Sequence, residues 1–593
     1  MQNTIEQRLA ALRGVMEKRG IDAWYISGTD PHASEYLPQR WQTRAFISGF
    51  TGSYGMVAVT ATKAALWTDS RYFLQAATQL EGTGIEMMKL RVPDAVSPVQ
   101  WLAQQLQPGT IVGIDSETLS LAGFRNFQLE LQKQQIEVVE TPDLLNDIWE
   151  NRPSIPRDKA FELDTKFAGA SRAEKQHWVA AELKKAGAEI QVVSMLDELA
   201  WLFNLRGSDI AFNPVFTGFG IVGAKESLLF VDRQKLAPEL KMKLESEGIQ
   251  VNEYAAFYDV LRRIRGRKIF IDPETLNYAA YRALAEHNEF VKGTSVVSLL
   301  KAQKNATELE GFRNAMKKDG VALVEFHYWL KNALGKETVT DYDVGVKLKE
   351  FRAKQAHFMG ESFPPIVGYK SRGAIVHLSV GADDAEPLAN DGVLLFDSGA
   401  HYLEGTTDIT RTVALGPVSE QLKTDYTLVL KGMIGLSKAC FPYGVKGCHL
   451  DILARQALWN NGLNYGHGTG HGVGHFLNVH EGPMSIRLEY NENLIVPGNV
   501  LSNEPAFYRE GEYGIRTENM MVCVEKEETE FGRFLQFETL TLCPIDTSII
   551  DIRLLTDDEK RWLNSYHARV NAELKPLLRP ELHAFLDELT REI

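Results

Sequence analysis

The sequence predicts a mixed α/β (α+β) protein: two similar α/β domains, then a larger third domain that holds the chemistry. Three observations predict this. Helix-spaced apolar stripes alternate with short apolar runs of strand length through the first half of the chain. Their order returns once, with a period of about 160 residues. From Phe363 onward the texture changes to strands arranged as hairpins. At 593 residues the chain is too long for one core, and its 44% apolar and 24% charged residues are ordinary for a globular protein.

Taken in order, Ile5, Leu9, Leu12, Val15 and Met16 form a stripe that predicts a helix over 5–18, with Gly20 as its stop. IDAWYISG reads as a strand, and RAFISGFTGSYGMVAVTATKAALWTDSRYF as a strand-rich block leading into a helix over 72–79. The domain ends near Trp149, because ENRPSIPRDK has two prolines and mixed charges. A helix (ASRAEKQHWVAAELKKAGA), an apolar run (IQVVSM), the helical LDELAWLFNLRGSD and strands FTGFGIVGA and ESLLFVDR follow. Both halves show F-T-G, a glycine-interrupted strand, a polar turn and an apolar strand closing on Asp and Arg; chance similarity between α/β segments competes with a true repeat. The expected domains are 1–150, 159–300 and 301–593.

The third domain opens with two amphipathic helices, ATELEGFRNAMKKDGVALVEFHYWLKNAL and TDYDVGVKLKEFRAKQ. VLLFDSGAHY and TTDITRTVAL flank a turn at 403–405, and SNEPAFY and IRTENMMVCVE flank 509–514, which predicts two β-hairpins. Helices over 419–440 and 449–461 lie between them, and the tail from Leu555 is helical in pattern.

A net charge of −14 argues against nucleic acid or an anionic membrane surface as the main partner. No run of about 20 apolar residues is present to span a membrane, and the N-terminus lacks a signal-peptide core. The four cysteines form no C-x-x-C pair, so a disulfide framework and a thiolate zinc site are both disfavoured. A cytoplasmic location fits.

Seven of the fourteen histidines lie between His377 and His480. Four of them, His467, His471, His475 and His480, sit in YGHGTGHGVGHFLNVHEGP, which is too glycine-rich for a helix interior and reads as loop or short strand. Without H-E-x-x-H a helical zinc-protease site is disfavoured. Each hairpin carries two carboxylates, Asp397 and Asp408 in the first, Glu504 and Glu518 in the second. Cross-strand pairing lets them face one another, and acids in so apolar a setting need a partner or a metal. Structural ion pairs with Arg411 and Arg516 are the competing reading. Four converging acids would repel one another without cations, so an oxygen-rich site for a divalent first-row ion such as manganese accounts for them better.

FDSGAHYLEGTTDITRT, HGTGHGVGHFLNVHEGP, SNEPAFY and GIRTEN, in this order and spacing, resemble the metal-binding motifs of the pita-bread metallopeptidases. Within them the chain resembles aminopeptidase P, the Xaa-Pro aminopeptidases, in its long three-domain form; RAFISGF, WTDSRYFLQAA, LDELAWLFNLRGSD, NPVF and WLNSYH extend the likeness. The resemblance implies two creatinase-like N-terminal domains and a pita-bread catalytic domain with a C-terminal extension. It implies two divalent metal ions, Mn2+ by expectation, bound by Asp397, Asp408, His471, Glu504 and Glu518, with Asp408 and Glu518 bridging. Glu504 would take the proton of the attacking water; His377, His467 and His480 would line the substrate site, supported by Tyr508 and Arg516. His475 departs from the small residue expected there and has no assigned role. The implied activity is release of an N-terminal residue from peptides with proline second, by a homodimer whose N-terminal domains wall the cleft. Prolidase and creatinase share the fold. A non-catalytic peptide- or histone-binding module of this fold would have lost ligands that are all present here.

Overall fold

The computed structural model of the protein describes residues 4–593. The predicted first helix is Ile5–Lys18, and its start is fixed by a reciprocal cap. The Thr4 hydroxyl accepts from the Gln7 amide and the Gln7 side chain accepts from the Thr4 amide. Leu9, Leu12 and Met16 of the predicted stripe are buried.

The chain forms two compact units. The first ends at Leu163 and resumes over Ala170–Leu300. It contains two six-stranded sheets of one design. The first sheet runs Glu86–Lys89, Ala64–Thr68, Met56–Thr60, Ala23–Ile26, Ile111–Asp115, Glu137–Thr141 in space. The second runs Gln250–Asn252, Ser227–Val231, Gly218–Gly223, Ile190–Val193, Lys268–Ile271, Glu289–Lys292. In both, the second, third and fourth strands pair antiparallel and the outer pairs are parallel.

The repeat is therefore real, but F-T-G is not its marker. Val59 opposite Ala64 in the first hairpin corresponds to Val222 opposite Ser227 in the second. The triplets at Phe50 and Phe216 are three residues out of step with that register. Gly52 lies in a loop ahead of its strand, whereas Gly218 begins one. The repeated signal is the pair of apolar strands, which the sheet core requires.

The second unit is Lys301–Ile593 with the short segment Asp164–Gly169. The Asn305 side chain donates to Ala168 O across that junction at 2.9 Å and caps the helix Ala306–Ala333. Helix Asp341–Arg352 follows, capped by Thr340. A three-stranded sheet holds Ile366–Tyr369, Val393–Ser398 and Ile409–Ala414. A six-stranded sheet runs Cys440–Pro442, Gly532–Thr539, Asn519–Thr529, Val500–Asn503, Gly470–Gly472, Glu481–Ile486. Helices Glu420–Ser437 and Gly447–Trp459 lie between the hairpins in sequence. The tail helices Asp557–Leu574 and His583–Leu589 bury Leu563, Val570, Leu574 and Leu586 in the same core as Leu422, Ile434 and Ile515. Among the described residues no helix is long and apolar enough to cross a membrane.

Neither predicted hairpin is one continuous ladder. In the first, Val393–Ser398 pairs with Ile409–Ala414, and Ala400–Tyr402 pairs separately with Gly405–Thr406. Gly399 makes the break: a Cβ there would stand 2.0 Å from Thr407 O. In the second, Val500–Asn503 pairs with Asn519–Thr529, and Ala506–Arg509 with Tyr513–Arg516. Pro505, which has no amide to donate, stands at that interruption. Asp408, Glu504 and Glu518 all fall in the breaks, while Asp397 sits in its ladder opposite Thr410.

Candidate metal centre

The breaks and the glycine-rich loop bring the predicted ligands together. Ligand atoms of Asp408, His471 and Glu518 all lie within 4.8 Å of one another. His471 Nε2 stands 3.4 Å from Asp408 Oδ2 and 3.3 Å from Glu504 Oε1. His471 is carried by the short strand Gly470–Gly472, inside the stretch predicted as loop or strand. Its Nδ1 lies 2.9 Å from Gly472 O and donates to it, which leaves Nε2 as the nitrogen that faces the acids.

Asp397, Asp408 and Glu518 are buried, at 7%, 4% and 1% exposure, too little for water to neutralise them. Asp397 Oδ2 accepts from Arg516 Nη2 at 2.6 Å, and Glu518 Oε2 accepts from Thr410 Oγ1 at 2.7 Å. Asp397 Oδ1 and Glu518 Oε1 are buried with no hydrogen-bond partner. The bland reading thus holds for one pair, Arg516 with Asp397. Arg411 does not pair with the acids; its guanidinium donates to the carbonyls of Thr410, Glu518, Cys543 and Pro544 and to Asn519 Oδ1.

The charges are visibly out of balance. Burial pushes the Asp397 carboxyl up to about 7, with Arg516 opposing and Asp408 and Glu504 adding to the rise. Burial also raises Glu504, against the pull of His471, and lifts Glu518 well above the usual range with help from Asp408, Glu504 and Asp397. For His471 burial works downward, but the Asp408 hydrogen bond and the Glu504 charge prevail and push it up to about 9. A proton on His471 sits where a cation would relieve the acids. Hard oxygen donors, one oriented imidazole and two orphaned buried carboxylate oxygens fit divalent ions.

Of the predicted substrate-site residues, His480, His467, Tyr508 and Arg516 lie beside this set. His480 packs edge-on to His471, ring centres 4.4 Å apart. His467 Nδ1 lies 2.7 Å from Gly468 O, and its Nε2 lies 2.8 Å from the Tyr508 hydroxyl. Arg516 Nη1 donates to that hydroxyl at 2.5 Å, so the polarity runs from Arg516 through Tyr508 to His467. Burial holds the Tyr508 phenol up at about 12, against the pull of Arg516, which keeps it a donor. His377 is half-buried in the turn after Lys370–Ala374, a segment whose Gly373 backbone abuts Gly514 in the strand that carries Arg516. His475 is buried edge-on to Phe312, centres 5.6 Å apart.

Sequence reasoning missed Thr410, which accepts from Arg516 Nε at 3.0 Å while donating to Glu518. Its place two residues after Asp408 was the available signal. It also missed the salt-bridged cluster in which Lys301 and Lys304 meet Glu481. Nothing in their spacing could have joined residues so far apart in the chain.

Four acids on broken hairpins, three of them buried, with a histidine from the glycine-rich strand, in a chain that also carries two like-designed α/β sheets, define a metal-dependent hydrolase. Comparison with known proteins narrows the class. Residues 8–148 and 151–308 each match a creatinase/prolidase N-terminal domain, 310–525 metallopeptidase family M24, and 533–593 the C-terminal region of peptidase M24. A probable Xaa-Pro aminopeptidase P of Laccaria bicolor is 40% identical over 100% of this chain and 93% of its own length. One from Coccidioides posadasii is 41% identical over 99% and 91%. The crystal structure of an X-prolyl aminopeptidase from Caenorhabditis elegans, described as a cytosolic enzyme with a di-nuclear active site, superposes with a TM-score of 0.96. It shares 35% identity, and the match covers 100% of both chains. A Xaa-Pro dipeptidase from Bacillus anthracis, 24% identical with a TM-score of 0.50, shares the fold over 63% of this chain. The chain belongs to the Xaa-Pro aminopeptidase P family, within the M24 metallopeptidases.

Proposed function

We propose that the protein removes the N-terminal residue from peptides whose second residue is proline. The observation that carries this reading is the set Asp397, Asp408, His471, Glu504 and Glu518, with buried, orphaned oxygens on Asp397 and Glu518, in a chain similar end to end to Xaa-Pro aminopeptidases. In this reading Asp397, Asp408, His471, Glu504 and Glu518 would hold two divalent ions, Asp408 and Glu518 being shared between the two positions, Asp397 serving one and His471 and Glu504 the other. Two such ions, manganese in our reading, supply a water activated near neutral pH and polarise the scissile carbonyl. The chain's own groups do the rest. Glu504 takes the proton of the water; His480 and His377 donate to the developing oxyanion or to the leaving proline nitrogen, and His467, held at both ring nitrogens by Gly468 and Tyr508, lines the substrate site. Tyr508 and Arg516 hold His467 and Asp397 in place. The bond before proline carries no N–H, so a site that binds without that donor gains its specificity from the ring.

Incubation with Arg-Pro-Pro, the dipeptide Arg-Pro and Ala-Ala-Phe under added manganese tests this. Arg-Pro-Pro should be cleaved preferentially. Preference for the dipeptide would make the protein a prolidase, and preference for Ala-Ala-Phe would defeat proline specificity. We further propose a cytoplasmic homodimer, supported by the cytosolic relative and by four cysteines that are all unpaired. Light scattering across a dilution series reads the assembly. Residues 1–150 and 159–300 we assign to substrate-size selection, because the metal-type cluster lies outside them. A fragment of 301–593 joined to 164–169, the segment that packs with it, should lose preference for short peptides.

A further inference from the structure

His467 lies in a stretch where Gly466, Gly468, Gly470, Gly472 and Gly474 alternate with other residues. Glycine leaves a backbone under-determined, so such a loop cannot by itself hold an imidazole to the tolerance that catalysis needs. An outside clamp is present. Helix Gly447–Trp459 carries Asp451 and Arg455 one turn apart, at 0% and 1% exposure. Arg455 Nε donates to Asp451 Oδ2 at 2.6 Å. Its Nη1 donates to Tyr465 O at 2.8 Å and Asn464 Oδ1 at 3.2 Å, and its Nη2 to His467 O at 2.7 Å. The guanidinium lies over the Tyr465 ring, 3.8 Å from its centre.

Asp451 closes the other side. Its Oδ1 accepts from Thr469 Oγ1 at 2.5 Å, which leaves that oxygen to accept from the Tyr465 hydroxyl at 2.5 Å. The Thr469 carbonyl then accepts from the Glu504 amide at 2.7 Å. One buried arginine thus fixes the backbone at His467, and through Asp451 and Thr469 the backbone at Glu504.

We infer that Arg455 is a positioning residue: with Asp451 and Thr469 it sets His467 relative to Glu504 and so governs turnover without touching substrate. A buried ion pair is weak evidence of stabilisation, since apolar residues of equal volume serve as well. What apolar residues could not supply is a planar fork reaching three loop acceptors at once. Lysine keeps the charge but not the fork.

The inference rests on the reading of His467 as a substrate-site group, and the test separates the two. The manganese-loaded full chain is assayed on Arg-Pro-Pro as wild type, Arg455→Lys, His467→Ala and the double variant, with bound metal measured by elemental analysis. Arg455→Lys should lower kcat about tenfold or more, leave KM within about twofold and keep the metal content of the wild type. On the His467→Ala background the same change should have almost no further effect, because the group being positioned is gone. An equal fold-loss in both backgrounds, or wild-type kcat in Arg455→Lys, overturns the inference. Wild-type turnover in His467→Ala defeats the underlying reading, and the inference with it. If Arg455→Lys does not fold, Thr469→Val, which removes a single hydroxyl from the clamp, takes its place in the same cycle with the same criteria.

Discussion

Asp209 in the N-terminal unit and Asp397 in the C-terminal unit are both buried carboxylates, and the difference between them shows what a site is. Asp209 is met by Lys235 Nζ at 2.6 Å and 2.5 Å and accepts from the Thr217 amide at 2.6 Å. One acid, one base and one amide close the account. Asp397 shares a single arginine with an electrostatic neighbourhood of Asp408, Glu504 and Glu518, and keeps an oxygen with no partner. Burial is common to both; surplus negative charge belongs to the second. The first arrangement is complete as folded, and the second becomes complete when cations enter.

Removing one charged group should therefore act in opposite directions at the two places. Asp408→Ala should abolish metal retention and lower turnover by about a thousandfold or more, since the lost assistance is worth several kcal/mol. In the metal-free protein the same substitution removes repulsion, so its melting temperature should rise above that of chelated wild type. Full metal occupancy by elemental analysis, or a lower apo melting temperature, breaks the comparison.

At the balanced pair, Lys235→Met should cost about 3–5 kcal/mol by stranding a buried Asp209. Denaturant unfolding of the N-terminal unit reads the loss. Metal content and turnover per folded molecule should stay unchanged, because the pair neutralises only itself. Parallel loss of metal would show that the distinction between the two settings is false.

The pH dependence sharpens the same contrast. Asp397 titrates at about 7 in the folded chain against an unfolded value near 3.9, so the folded state binds the extra proton between those limits. That contribution to stability is lost as pH rises from about 4 to 7. His471, at about 9 against 6.5, contributes stability that is present below 6.5 and lost through 9. Both act in one direction: the melting temperature of chelated protein should fall steadily from pH 5 to 9. With divalent ions bound the acids are held ionised, so the loaded protein should lose that slope, and metal and activity should instead be lost below about pH 6. Parallel curves for the two forms would mean that the titrating groups are not the ligands.

Much of this was legible in the chain. Thr4, Asn305 and Thr340 announce their helices, and the alternation of apolar strands announces both sheets. The ligands were legible as motifs. Their placement in interruptions was not, because a ladder break depends on a close approach such as Gly399 to Thr407, which has no signature in a linear pattern. The four-residue spacing of Asp451 and Arg455 is common to solvated pairs on helix surfaces and carries no signal of burial. Only tertiary burial turns them into a clamp. F-T-G misled for the converse reason: three identical letters sat in a loop in one copy and at a strand start in the other.

The smallest expected effect tests how finely the surplus charge is arranged. Thr410 lies opposite Asp397 in the ladder, and its hydroxyl accepts from Arg516 Nε while donating to Glu518 Oε2. It therefore ties the one arginine of the site to an acid that the arginine does not itself reach through a hydrogen bond. Valine keeps the β-branched shape and the strand, and removes only this link. Outer-shell hydrogen bonds of this kind are worth about 10–100-fold in metal affinity. Because Glu518 keeps its backbone bond to Thr410 O, Thr410→Val should lie near the lower end, about tenfold. Competition for manganese against a chelating dye measures it directly. Turnover at saturating metal should return nearly to the wild-type value, since orientation of Glu518 is then imposed by the ions. Unchanged affinity with lowered saturated turnover would place Thr410 in the chemistry instead, and Glu518 would need a different orienting partner.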